Sequence, residues 1–195
     1  MIPTRPEDYH VRKLWPFDRD AFRAHLKRLD AETRALRFGT VVNDAFLDTY
    51  AESISQPGAV IFGAFHGGEI HASAEMRPLE NTPEPAAEAA FTVELPYQDH
   101  GLGSLFMDRI ITTAQNRGIH HLCMVCLREN GRMQHIADKF GARLKVEDGE
   151  VTGALETTSP TLLSLFEEGV HDMQGFMTAM MDWRVYKLPR NGNLI

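Results

Sequence analysis

Residues 88–95 (EAAFTVEL) form a short alternating apolar run that breaks at Pro96. The chain then passes through Gln98-Asp99-His100-Gly101-Leu102-Gly103-Ser104 and opens into an amphipathic helix over residues 102–117. Leu102, Leu105, Phe106, Ile110 and Ala114 recur at helical spacing, and Gly118 supplies a stop. A strand that feeds a helix through so short a loop has to bury one helix face on a sheet. That requirement puts the chain among layered folds of mixed strand and helix.

The remaining pattern extends this reading. A first strand is expected at residues 9–15. A helix capped by Asp18 or Asp20 carries Phe22, Leu26 and Leu29, and a second helical piece starts near Asn43. Residues 59–65 and 69–76 read as a hairpin around His66-Gly67-Gly68. The stretch NTPEPAA at residues 81–87 reads as a loop. Beyond the helix, residues 121–127 read as a strand and 130–140 as a short helix. Residues 143–146 and 150–157 read as a closing pair of strands. The expected class is α/β (α+β), with a mixed sheet flanked by helices and no internal repeat.

A length of 195 residues suits one domain, or one domain with an added terminal element. The formal charge of −7 disfavours nucleic acid as a partner, because phosphate backbones select basic surfaces. No run of about 18 apolar residues is present, so no membrane span is expected, and residues 1–13 hold no apolar signal core. The expected location is the cytoplasm. Cys123 and Cys126 are spaced C-x-x-C, but residues three apart on a strand point to opposite faces, so they read as reduced core thiols. The nine histidines show no ligand spacing, and no metal is expected.

The loop at residues 98–104 suits a phosphate. Gly101 and Gly103 carry no Cβ where backbone must approach a ligand closely, and first-turn amides of a helix have no intrahelical partners. Those amides also sit at the positive end of the helix dipole. The dinucleotide pattern G-x-G-x-x-G fails because position 106 is Phe106. The Gly-Lys-Ser/Thr of nucleoside triphosphatases is absent as well.

With Val93 to Gln98 leading into it, this loop resembles the Q/R-x-x-G-x-G/A signature of the GNAT superfamily of acyl-CoA N-acyltransferases. Asn130, opening a helix that ends in Lys139-Phe140-Gly141-Ala142, is similar to a second segment of that family. Residues 33–38 (TRALRF) more weakly resemble a stretch of bacterial protein lysine acetyltransferase domains, against a plainer reading as a helix end with solvated arginines. The resemblance implies a mostly antiparallel GNAT-like sheet over residues 1–158, with 159–195 as a helical extension packed on the same domain. It implies acetyl-CoA as cosubstrate and an amine acceptor, small molecule or protein, that attacks the thioester within a ternary complex. Gln98, Asp99, His100, Gly101, Leu102, Gly103, Ser104 and Asn130 would hold the cofactor. Backbone of Phe91, Thr92 and Val93 would bind the pantetheine and polarise the acetyl carbonyl.

The base for the amine is expected on the same strand. Glu88 and Glu94 share one face by strand parity, and Glu88 opens EAAFTV, similar to the E-x-A-F of histone-type acetyltransferases. Glu88 is preferred and Glu94 is the reserve. Many family members carry a tyrosine seven residues after the equivalent of Asn130, to protonate the leaving thiolate; this chain has Ala137 there. His135 lies nearby on a different helical face. The departure keeps a second reading open, a non-catalytic acyl-CoA-binding module. The segment at residues 159–183, rich in leucine and methionine, reads as a helix packed on the sheet, interrupted or kinked at Gly169 and Gly175. Its sharper readings are a subunit interface in a homodimer, a lid over the acceptor site, or an interaction surface in its own right.

Overall fold

The computed structural model describes residues 5–187. Residues 188–195, the end of the expected extension, lie outside the described residues. Seven strands form one sheet in the order β1-β2-β3-β4-β5-β7-β6. They are β1 (His10–Lys13), β2 (Val60–His66), β3 (Glu69–Leu79), β4 (Ala86–Val93), β5 (His121–Leu127), β6 (Arg143–Glu147) and β7 (Glu150–Glu156). All pairings are antiparallel except β4 with β5.

The turns follow from local chemistry. Gly67 and Gly68, both at positive φ, join β2 to β3. Asp148 and Gly149 do the same between β6 and β7. Such two-residue turns match the twist of the strands they connect.

Three helices precede β2, where two were expected: α1 (Arg19–Arg28), α2 (Ala31–Phe38) and α3 (Asp44–Tyr50). The extra break comes at Leu29, whose backbone is extended, and Asp30 then caps α2 by accepting from the Thr33 amide at 2.9 Å. Asp18 occupies the cap position of α1 but makes no capping bond there. Its carboxylate instead takes both Arg12 Nη atoms, at 2.8 and 2.9 Å.

Two cores cover the two faces of the sheet. α4 (Leu102–Asn116) and α5 (Gly131–Lys139) lie on one face. Phe106, Met107 and Ile110 of α4 are fully buried against Ala72, Ala74, Ala87 and Ala89. The row of alanines lets α4 sit close, and each such apolar side chain contributes about 2–3 kcal/mol. Phe22, Leu26 and Leu47 of α1 and α3 pack with Ile61 and Ile70 on the other face.

The final helix, α6 (Leu162–Lys187), runs unbroken through Gly169 and Gly175. Gly175 serves a close approach rather than a kink: a Cβ there would stand 3.1 Å from Arg12 Cβ. Among the described residues no helix is long and apolar enough to cross a membrane.

Candidate functional site

β4 and β5 stay paired for only three residues, Ala86 with His121, Ala87 with Leu122 and Glu88 with Cys123. Beyond that they splay apart, while β5 pairs along its whole length with β7. The Glu94 amide donates to the His71 carbonyl at 3.0 Å. Antiparallel alternation therefore aims the backbone of Thr92, Ala90 and Glu88 at β3, and that of Phe91 and Val93 into the gap.

The loop at the head of this gap is held in shape by its own residues. A turn at Leu95–Tyr97 leads to Gln98, whose Nε2 donates to the Val93 carbonyl at 3.0 Å. Asp99 and Gly101 both adopt positive φ, 62° and 80°. Gly101 is the cap residue of α4 and offers no side-chain acceptor, so the first-turn amides face the cleft uncapped. Gly103 lets α4 and α5 close up, since a Cβ there would lie 2.4 Å from Ile136 Cδ1.

A cleft of about 370 Å³ opens between α2, the end of β4, this loop and the start of α5. Phe91, Val93, Gln98, Asp99, Gly101, Leu102, Gly103, Ser104 and Asn130 all line it. Thr92 and His100 do not: Thr92 turns its hydroxyl to Ser73 at 2.6 Å on the opposite face. Asn130 caps α5 through Oδ1, accepting from the Met133 amide at 3.1 Å.

The cleft suits a diphosphate in three respects. It has open amides at a helix N-terminus, and it has a cation, Arg132, at the mouth. Its one loop carboxylate, Asp99, is already paired with Arg132 through two bonds of 3.0 Å. Hydrogen bonding to Arg132 holds the Asp99 carboxyl below its ordinary range. Arg132, Tyr97 and His135 also line the cleft, and sequence spacing had assigned none of them there.

Glu88 faces the other side of β4. It lines a broad cleft of about 760 Å³ together with Arg37, Tyr50, Glu75 and Arg77. Arg37 lines both clefts, so they meet at its side chain. Glu75 is buried and fully engaged: it takes Arg37 Nη2 at 3.0 Å, the Tyr50 hydroxyl at 2.8 Å and Arg77. Burial would raise the Glu75 carboxyl, but Arg37 and Arg77 pull it below the usual value. Burial and the Glu75 charge push Tyr50 up to about 12. Glu88 makes no hydrogen bond or ion pair among the described residues.

Glu94 lies on the same face as Glu88 but inside a closed network. Its carboxylate takes His25 Nδ1 and His71 Nδ1 at 2.9 Å each and Arg28 Nε at 3.0 Å. Burial opposes ionisation there, yet hydrogen bonds from His25 and His71 dominate and bring the carboxyl down to about 2. A carboxylate so held is a poor proton acceptor at neutral pH. His71 in turn stacks on Tyr97 with ring centroids 4.0 Å apart, joining the network to the wall of the first cleft.

Position 137 faces the sheet: Ala137 is buried, while exposed His135 lines the cleft together with Met133 and Ile136 of the same helix. The two cysteines are free. Cys126 is buried in the core, and Cys123 is half-buried beside Glu88, with burial and then the Glu88 charge pushing its thiol up. Among the described residues no group of three potential ligands is placed to hold a metal.

A family model for the acetyltransferase (GNAT) family matches residues 21–142. Among solved structures the chain is similar to the GNAT domain of S. lividans PAT, at 22% identity and a TM-score of 0.65, over 76% of this chain and 90% of that one. It is also similar to a phosphinothricin acetyltransferase from Sinorhizobium meliloti in complex with AcCoA. There the identity is 12% and the TM-score 0.62, over 80% of this chain and 94% of that one. A cAMP-binding acyltransferase from Mycobacterium smegmatis matches at 22% identity and a TM-score of 0.56, over 88% of this chain and 52% of that one. Identities this low establish a shared fold rather than a shared substrate.

Proposed function

The chain belongs to the acetyltransferase (GNAT) family, and on that premise we propose that it transfers an acetyl group from acetyl-CoA to an amine by direct attack. The observation that carries this reading is the pair of clefts that meet at Arg37 across β4. One cleft has open helix amides and splayed strand backbone. The other has an unengaged carboxylate.

In this reading acetyl-CoA lays its pyrophosphate on the first turn of α4 and runs its pantetheine along Phe91 and Val93. The amine enters from the side of Glu88, which removes its proton as nitrogen bonds to the acetyl carbon. The amide-rich strand edge stabilises the oxyanion. The C–S bond then breaks, and CoA departs as a thiolate. No phenol stands at position 137 to protonate it, and an ordinary thiol pKa near 8.5 makes a thiolate tolerable.

Acetyl-CoA at a hundred times its Kd is expected to stabilise the protein by about 2.7 kcal/mol, seen as a rise in Tm of roughly 5–10 °C. Gly101→Glu is expected to abolish that rise. The residue sits at positive φ and its Cβ would meet Pro6 Cγ at 2.8 Å, so the substitution distorts the loop that presents the α4 amides and adds a negative charge beside them. The readout is the ligand-induced shift, so a lower starting Tm does not obscure it. An unchanged shift in the variant would remove the central claim.

Arg132→Ala is expected to weaken acetyl-CoA several-fold and to flatten the salt dependence of binding, because one screened cation is lost from the mouth. Titration at two ionic strengths checks this.

Ala137 favours the second reading, binding without transfer. Release of CoA across a panel of small and peptide amines separates the two. Binding with no turnover for any amine would leave the non-catalytic module standing.

A further inference from the structure

α6 turns much of its apolar surface away from the domain. Phe176 packs edge-on against Trp15, with ring centroids 5.1 Å apart, but most of the other side chains that hold the helix are polar or small. Asp172 pairs with Lys13 at 3.1 Å, and Glu168 takes Arg117 and Asn116 at 2.7 Å each. Gly175 rests on Arg12, and Ala179 is buried. The outward face carries Leu163, Phe166, Val170, Met173, Met177 and Met180, of which Val170 and Met180 are half-buried and the other four exposed. These alternate in steps of three and four, the seam of a coiled coil, over about 26 Å of helix. Leu163 is 65% exposed, Phe166 70%, Met173 60% and Met177 58%.

An amphipathic helix normally turns its apolar stripe to the core. A contiguous apolar face of this length on the outside marks a contact surface. We infer that this seam pairs with α6 of a second copy of the chain, across a two-fold axis.

Three observations select that occupant. First, a three-four seam is shaped for another helix with the same repeat, and a two-fold axis presents one to it. Second, the positions beside the seam carry a single charge, Glu167, so self-pairing brings no row of like charges together. Third, Leu162 and Met181 flank the seam, exposed by 89% and 65%. With them the face offers on the order of 800 Å², which is what one partner of a standard interface contributes.

An anionic membrane fits poorly. Interfacial helices rely on lysine and arginine, whereas residues 162–181 hold none and include Glu167, Glu168 and Asp172.

The test is the mass of the full chain by light scattering at micromolar concentrations, with and without acetyl-CoA. Wild type should run at twice the 22.0 kDa of one chain. The double variant Met173→Glu/Met177→Glu should run as a monomer, and Met173→Leu/Met177→Leu should restore the dimer. All three should keep the same acetyl-CoA-induced shift in Tm, which shows that the fold is intact. A monomeric wild type, or a dimer that survives the double glutamate variant, would overturn the inference. So would a monomer that co-sediments with phosphatidylcholine–phosphatidylserine vesicles through this face.

Discussion

Glu88→Gln is expected to lower kcat/KM for the best amine by about 10²–10³-fold while leaving the acetyl-CoA-induced rise in Tm in place. Two facts set the size of the effect. General-base removal typically costs 10²–10⁴-fold. A lysine-like amine with a pKa near 10.4 is neutral in only roughly one molecule in 2,500 at pH 7, so unassisted attack loses about that factor. The second figure caps the effect. It also predicts a rescue, because the variant should recover rate as pH rises and the amine deprotonates by itself. The substitution is mild for the fold, since Glu88 makes no hydrogen bond or ion pair among the described residues and lines an open cleft. Initial rates of CoA release between pH 7 and 9.5 would check both parts. A variant within twofold of wild type at pH 7 would take the base role away from Glu88. Glu75 would not inherit it: its carboxylate is saturated by Arg37, Arg77 and Tyr50.

What the sequence made legible was local. Gly67-Gly68 and Asp148-Gly149 dictate their turns within two residues. Asn130 announces its helix by capping it, and the loop at residues 98–104 sits between strand and helix because its neighbours alone decide that. Arg37 was not legible. A helix-end arginine normally lies in water, yet this one is bonded to Glu75, which lies 38 positions away. Glu94 poses the same difficulty, since strand parity gave its face correctly but not its occupancy. Its partners His25 and His71 lie 69 and 23 residues away, and only the packing of α1 on β3 and β4 brings them together. Composition likewise marked residues 159–183 as a leucine- and methionine-rich helix without revealing which of its apolar side chains turn outward. Lys13 and Arg117 hold Asp172 and Glu168 inward, and Trp15 receives Phe176 on the same side.

Removal of the Glu94 carboxylate should produce the largest loss of stability. Glu94→Ala leaves His25, which is completely buried, without its Nδ1 acceptor, and leaves Arg28 without its carboxylate. Breaking a buried charge network from one side costs about 3–5 kcal/mol, roughly 10 °C or more in Tm for a chain of this size. The carboxyl is depressed from 4.5 to about 2, which by linkage corresponds to about 3 kcal/mol. A depressed carboxyl stabilises the fold above its unfolded value and loses that contribution as pH falls through its folded one. The gap between wild type and variant should therefore be full at pH 7 and narrow between pH 4.5 and 2. His25 acts higher on the scale. Burial lowers its pKa by more than Glu94 raises it, so the unfolded chain binds that proton more readily. Both proteins should accordingly lose stability as pH drops below about 6.5. Because the variant lacks the carboxylate that partly restores the His25 pKa, its decline there should be at least as steep, and the gap should begin to close only below 4.5. Urea unfolding from pH 7 down to 3 measures both limbs. A deficit under about 1 kcal/mol at pH 7, or a gap that stays constant below 4.5, would show that Glu94 does not hold these elements together as its geometry implies.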